Sequence, residues 1–235
     1  IEPSMLKGFK HKNQITLQKK FFSTKKVKNI FFEILKNSKR PVIIAGWGIH
    51  LSKTEKEFLD FAEFLGIPVA LTWGGSDLIH HDHDLYIGTF GTHGMRHANM
   101  AVQNSDLIIS VGSRLDTKST GSPITTFARE AKKIMIDIDP YELNKFSHFG
   151  LKMDLLIQED LKIFFKTIKN KKYKINCADF DNWKLRIRKW KDDLSKTNQH
   201  ITNPSSLEPY SAFFILSKSL PLNCYSFLAR TTRVF

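Results

Sequence analysis

Between Arg40 and Asp139, short apolar, β-branched runs alternate with segments whose apolar positions recur at helical spacing, and each run ends on glycine or a charged residue. Fully apolar runs joined by amphipathic crossovers encode a parallel sheet covered on both sides. The pattern therefore predicts an α/β fold, doubly wound and mostly parallel, with helices on both faces in a Rossmann-like arrangement. Strands are predicted at residues 41–45, 67–72, 106–112 and 133–137, with Pro68 acceptable only because it stands at a strand start. Over residues 24–37, Val27, Ile30, Phe31, Ile34 and Leu35 share one helical face, and Ser23 or Thr24 is placed to cap it. Ser52-Lys53-Thr54-Glu55 has capping-box spacing ahead of Phe58, Phe61, Ala62 and Leu65, and Gly66 closes that helix. Further helices are predicted at 95–105, 160–169, 181–194 and, more briefly, 209–216. Residues 76–94 carry no long periodic run and read as a functional loop.

These elements divide the chain into four parts. Residues 1–22 are lysine-rich, lack apolar periodicity and read as an interdomain linker; with no initiating methionine, the chain reads as cut from something longer. Residues 23–170 form the α/β domain, 171–207 a basic helical linker, and 208–235 the truncated start of another domain.

Charge alters this picture less than its size suggests. The chain carries 36 Lys+Arg against 23 Asp+Glu, a net +13, which raises the question of a polyanionic partner. The excess is on the flanks: residues 1–40 hold 11 basic and 2 acidic groups, 41–140 hold 8 and 12, and 141–235 hold 17 and 9. An acidic ordered centre with solvated lysines around it disfavours a nucleic-acid partner. Cys177 and Cys224 have no CxxC or CxxH neighbour, so neither a disulfide framework nor a zinc site is expected, and a reducing cytoplasm fits best. No run approaches the roughly 20 apolar residues of a membrane span.

The candidate chemistry lies where strands end. Gly46-Trp47-Gly48 places two glycines between a strand and a helix, where backbone amides can approach a phosphate. The third fingerprint position is Leu51, and no acid ends the second strand to hold a ribose, so an NAD-type nucleotide module is the weaker alternative. His93 stands between glycines, free to meet a ligand or to serve a turn. Arg114 and Asp116 follow the third strand, where arginine can hold a phosphate and the acid can orient it or contact a sugar; a surface ion pair is the plainer reading. Asp137 and Asp139 end the fourth strand, either to meet a ribose or to cap the helix begun by Pro140. His80-His81-Asp82-His83-Asp84 offers metal donors but, without a spaced partner, reads as a solvated turn. There is no GxSxG elbow, Walker loop or HExxH pair, and no catalytic residue is assigned.

Taken together, Pro41–Gly48, Gly66-Ile67-Pro68-Val69, Gly91-Thr92-His93-Gly94, Ala98-Asn99-x-Ala101-Val102-x-x-Ser105-Asp106-Leu107, Val111–Asp116 and Ile136–Asp139 resemble the central domain of thiamine-diphosphate-dependent enzymes, and within them the acetolactate synthase large subunit. The resemblance covers residues 25–170. It implies a scaffold between two domains that hold thiamine diphosphate and Mg, in a homodimeric or tetrameric carboligase or lyase acting on a 2-keto acid. The activating glutamate and the magnesium-binding segment fall outside this sequence, so the chain alone is expected to be inactive. The resemblance also implies FAD, contacted at Gly46, Trp47, Gly48, Thr72, Phe90, Gly91, Thr92, His93, Gly112, Ser113, Arg114, Asp116, Asp137, Ile138 and Asp139. Trp47 and Lys118 depart from the family pattern, where a small residue and a second arginine are usual.

Overall fold

The computed structural model describes residues 22–169 and 180–195. The expected linkers, the short helix at 209–216, the further domain at 208–235 and both cysteines lie wholly or largely outside them. Six strands, β1 (Pro41–Ala45), β2 (Val69–Leu71), β3 (Tyr86–Thr89), β4 (Leu107–Val111), β5 (Lys132–Asp137) and β6 (Leu155–Gln158), form one sheet in the order β3-β2-β1-β4-β5-β6. Every pairing is parallel, with Ile43 opposite Val69 on one side and Ile109 on the other. The predicted doubly wound α/β fold is therefore the fold observed.

Alternation along the strands sorts the core into two layers. Ile43, Leu107, Ile109, Val111, Ile134 and Ile136 point to the layer built by helices α1 (Thr24–Lys36), α3 (Glu55–Leu65) and α7 (Leu161–Ile168), with Ile49 of the short α2 (Gly48–Ser52). Val42, Ile44, Ile108 and Met135 point to the other, covered by α4 (Arg96–Gln103), α6 (Pro140–His148) and α8 (Asp181–Ser195). The first layer is aromatic, with Phe61 within 5.5 Å of both Phe164 and Phe165, centroid to centroid. In the second, α8 buries Trp183 and Ile187, and the Trp183 indole N–H donates to the Pro41 carbonyl at 3.1 Å. That bond fastens the basic helix to the first residue of the central strand.

The structure adds two strands to the four expected. The segment 76–94 contains β3, only four residues long and too short to show a period; β6 is as short and was missed for the same reason. Phe22 bridges to Ile157 and so covers the free edge of β6. The capping-box reading also changes. Ser52 ends α2, and Lys53 turns through φ 54°. Thr54 then starts α3 with no side-chain cap; its hydroxyl meets Ser52 Oγ at 2.8 Å instead.

Candidate functional site

In an open parallel sheet the crossovers leave in opposite directions at the point where strand order reverses, and this opens a crevice at the strands' carboxyl ends. Here the reversal lies between β1 and β4. The turns after those two strands, Gly46-Trp47-Gly48 and Gly112–Asp116, meet there, and a cleft of about 770 Å³ opens above them.

The glycines at the base of the cleft serve backbone packing. Gly46 N–H donates to the Val111 carbonyl at 3.0 Å and Gly48 N–H to the Gly112 carbonyl at 2.9 Å. A Cβ on Gly46 would lie 2.3 Å from the Gly112 oxygen, and one on Gly48 would lie 2.8 Å from Gly112 Cα. The two turns can touch only because side chains are missing at both. Gly112 itself adopts φ 56°, and Leu115, buried below the cleft, holds φ 46°. A non-glycine residue in that region is strained, and here the strain lies in the turn that forms the cleft wall.

The third wall runs from Phe90 to Gly94. The Asn99 side chain brackets the Gly91 peptide, accepting from its N–H at 2.8 Å and donating to its carbonyl at 3.0 Å. Thr92 donates through both N–H and hydroxyl to the Lys118 carbonyl, at 2.8 and 3.0 Å, tying this loop to α5 (Thr117–Thr120). Exposed His93 lies against the Trp73 ring at 5.7 Å. The Trp47 ring lies tilted against His50 at 4.9 Å, and His50 is held between Glu55 and Asp77 at 2.9 and 3.0 Å. Trp47 and Trp73 are 54% and 55% exposed, so two indole faces stand open at the rim.

The acids around the cleft are mostly committed to helix starts. Asp116 accepts from Ser119 N–H, Asp139 from Tyr141 N–H, Asp160 from Lys162 N–H, and Glu159 from Thr24 N–H at the start of α1. Each carboxylate satisfies a donor that an external anion would otherwise seek. Asp137 differs: it accepts from Asp139 N–H at 2.9 Å, and its carboxyl is pushed above the usual range by burial, reinforced by the neighbouring Glu142 and Asp139.

The expected partnership of Arg114 and Asp116 is replaced by another. Arg114 reaches Glu142 on α6, with Nε and Nη2 at 2.9 and 2.8 Å from Oε1, while Lys145 takes Oε2 of the same carboxylate. Burial alone would raise Glu142, but the bonds from Lys145 and Arg114 outweigh it and hold the carboxyl below its ordinary value. Asp116 instead caps α5, its Oδ1 accepting from the Ser119 N–H and hydroxyl at 2.9 and 3.0 Å.

Of the residues named from the sequence, Trp47, Gly48, Thr72, Phe90, Thr92, His93, Gly112, Ser113, Arg114, Asp116, Asp137, Ile138 and Asp139 line the cleft. Gly46 and Gly91 lie behind it, as spacers in the wall. Trp73, Glu142, Glu159 and Asp160 also line it and were not anticipated. The acid ahead of each helix was a readable signal, since a cap at the carboxyl end of a strand necessarily faces the crevice.

Residues 29–168 match the family model described as thiamine pyrophosphate enzyme, central domain. A probable acetolactate synthase large subunit of Methanococcus aeolicus is 37% identical over 180 residues, 76% of this chain and 28% of that protein. The acetolactate synthase large subunit of Cyanidium caldarium is 34% identical over 72% of this chain and 29% of its own length. The isozyme 2 large subunit of Escherichia coli is 35% identical over 52% and 23%. The chain thus spans less than a third of the length of these curated relatives.

Proposed function

Because the chain belongs to the central-domain family of thiamine pyrophosphate enzymes, we propose that it is the scaffold of an acetolactate-synthase-like carboligase or lyase whose cleft holds FAD. In this reading the whole enzyme acts on a 2-keto acid with thiamine diphosphate and Mg, both held by other domains of a homodimer or tetramer. No residue of this chain is assigned to either of those cofactors. The central domain fixes where its neighbours sit.

The cleft at the reversal of strand order carries the FAD reading. Its volume of about 770 Å³ falls within the roughly 300–1,000 Å³ usual for cofactor pockets. A flavin dinucleotide supplies, when bound, a planar redox-active ring and an anionic diphosphate. Trp47, Trp73 and His93 offer flat faces to a planar ring. Arg114, mostly exposed, can turn to a diphosphate, since Lys145 remains to neutralise Glu142. Lys118 provides a second cation at the same wall. Asp137, whose carboxyl burial pushes above its ordinary value, faces the cleft and can exchange hydrogen bonds with a ribose hydroxyl.

The test is the absorbance spectrum of the full chain after incubation with FAD and desalting, followed by thermal unfolding with and without it. A retained flavin spectrum and a raised midpoint are expected, since a ligand that binds only the folded state stabilises it by mass action. Arg114→Ala should weaken retention while lowering the midpoint of the free protein only slightly, since Lys145 still pairs with Glu142. Loss of flavin on desalting with no midpoint shift would remove FAD and leave a scaffold domain.

A further inference from the structure

We propose that His80, His81 and Asp82, in the loop leading into β3, form a surface site for a divalent transition metal of the Zn²⁺ and Ni²⁺ type. One donor atom from each lies within 4.8 Å of the other two. Asp82 bridges the pair: Oδ1 is 3.1 Å from His81 Nε2 and Oδ2 is 3.5 Å from His80 Nδ1. A tetrahedral ion with bonds of about 2.0–2.1 Å needs donor-to-donor edges of roughly 3.3 Å. With one carboxylate oxygen as ligand, the Asp82–His81 edge of that polyhedron is therefore present, and the tilted imidazoles, 4.3 Å apart between centroids, keep all three donors within 4.8 Å of one another.

Two imidazoles and one carboxylate select the borderline metals over Mg²⁺ and Ca²⁺, which demand oxygen. The loop is braced before any metal arrives, which lowers the ordering cost of binding. His83 N–H donates to the His80 carbonyl and Tyr86 N–H to the His83 carbonyl, at 3.0 and 2.9 Å. The His83 ring accepts from Leu85 N–H at Nδ1 and meets Glu63 of α3 through Nε2, at 3.1 Å each. Asp84 holds Arg188 of α8 at 3.0 Å. His83 and Asp84 thus anchor the loop to helices on either side, while the three preceding residues project into solvent. Three protein ligands leave coordination positions for water or an anion.

The location separates this site from the flavin cleft. His81 and Asp82 border a second cleft of about 330 Å³ with Pro68, the residue before β2, and with Lys184, Arg188 and Lys191 of α8. This is the amino edge of the sheet; the FAD cleft is at the carboxyl edge. An anion completing the metal's coordination would face those three cations.

The experiment is calorimetric titration of the full chain with Zn²⁺ alone in a non-coordinating buffer, with Mg²⁺ as comparison. One saturable Zn²⁺ site and no Mg²⁺ heat at this site are expected. Loss of an outer partner weakens metal sites about 10- to 100-fold, so His81→Ala and Asp82→Asn should each weaken Zn²⁺ by at least about tenfold. His83→Ala, which removes a brace of the loop and not a ligand, should weaken Zn²⁺ less than either ligand variant does. Circular dichroism and the metal-free thermal midpoint show that the exposed variants fold. An unchanged Zn²⁺ isotherm in the His80→Ala/His81→Ala double variant, or no saturable site in the wild type, would overturn the proposal.

Discussion

Two groups of aromatic residues in this protein have opposite fates. Phe31, Phe32, Phe58, Phe61, Phe164 and Phe165 pack against one another beneath α1, α3 and α7, none more than 6% exposed. Trp47 and Trp73 stand at the carboxyl edge of the same sheet, more than half exposed, each with a histidine ring as its aromatic neighbour. The first group has neighbours from three helices. The second sits at the reversal of strand order, where the crossovers diverge and no element can close over it. Aromatic side chains are therefore core in one place and an open rim in the other, and topology decides which.

Mutation can sharpen that contrast. Phe61→Ala removes a ring wedged between Phe31, Phe164 and Phe165 and should cost about 3–5 kcal/mol in denaturant unfolding. Gly46→Ala places a Cβ against the Gly112 carbonyl; such overpacking costs roughly 1–3 kcal/mol, and the displaced turns should also lower FAD affinity. Trp47→Ala and Trp73→Ala should change stability by no more than about 0.5 kcal/mol. Each should weaken FAD about two- to tenfold, the loss of one aromatic contact worth roughly 0.5–1.5 kcal/mol. A large stability loss in either tryptophan variant would erase the distinction between the two groups.

The smallest effect concerns Asp137. Burial raises its folded pKa, so the folded protein holds this proton more tightly than the unfolded chain. Its contribution is full below the unfolded value of about 3.9 and is lost as pH rises through the folded value. Asp137→Asn keeps an oxygen for Asp139 N–H and should raise the thermal midpoint at neutral pH, with the gain vanishing in acid. Midpoints measured from pH 3 to 8 check the sign. FAD affinity should fall in the same variant if the carboxyl meets a ribose.

The cleft was partly legible because its walls follow strand ends, and strand ends are marked by glycine and by acids. Trp73 escaped notice because nothing in Trp73-Gly74-Gly75 distinguishes an exposed turn residue from a buried one. Glu142 escaped because its partnership with Arg114 spans 28 positions and depends on how α6 lies against β5. β3 and β6 escaped because four residues give too few alternations to separate a strand from a loop.

The sequence by itself determined four of the six strands, the amphipathic faces of the longer helices and the glycine turns, because these rest on local periodicity and on side chains present or absent. It also carried the motifs that identify the family. The tertiary structure decided what each polar group at the strand ends was for. Asp116, Asp139, Glu159 and Asp160 are occupied by helix starts, Arg114 is shared with Glu142, and Asp137 is left half-buried and facing the cleft. A carboxylate's role depends on which donors lie within about 3 Å, and only the packed fold brings those donors to it.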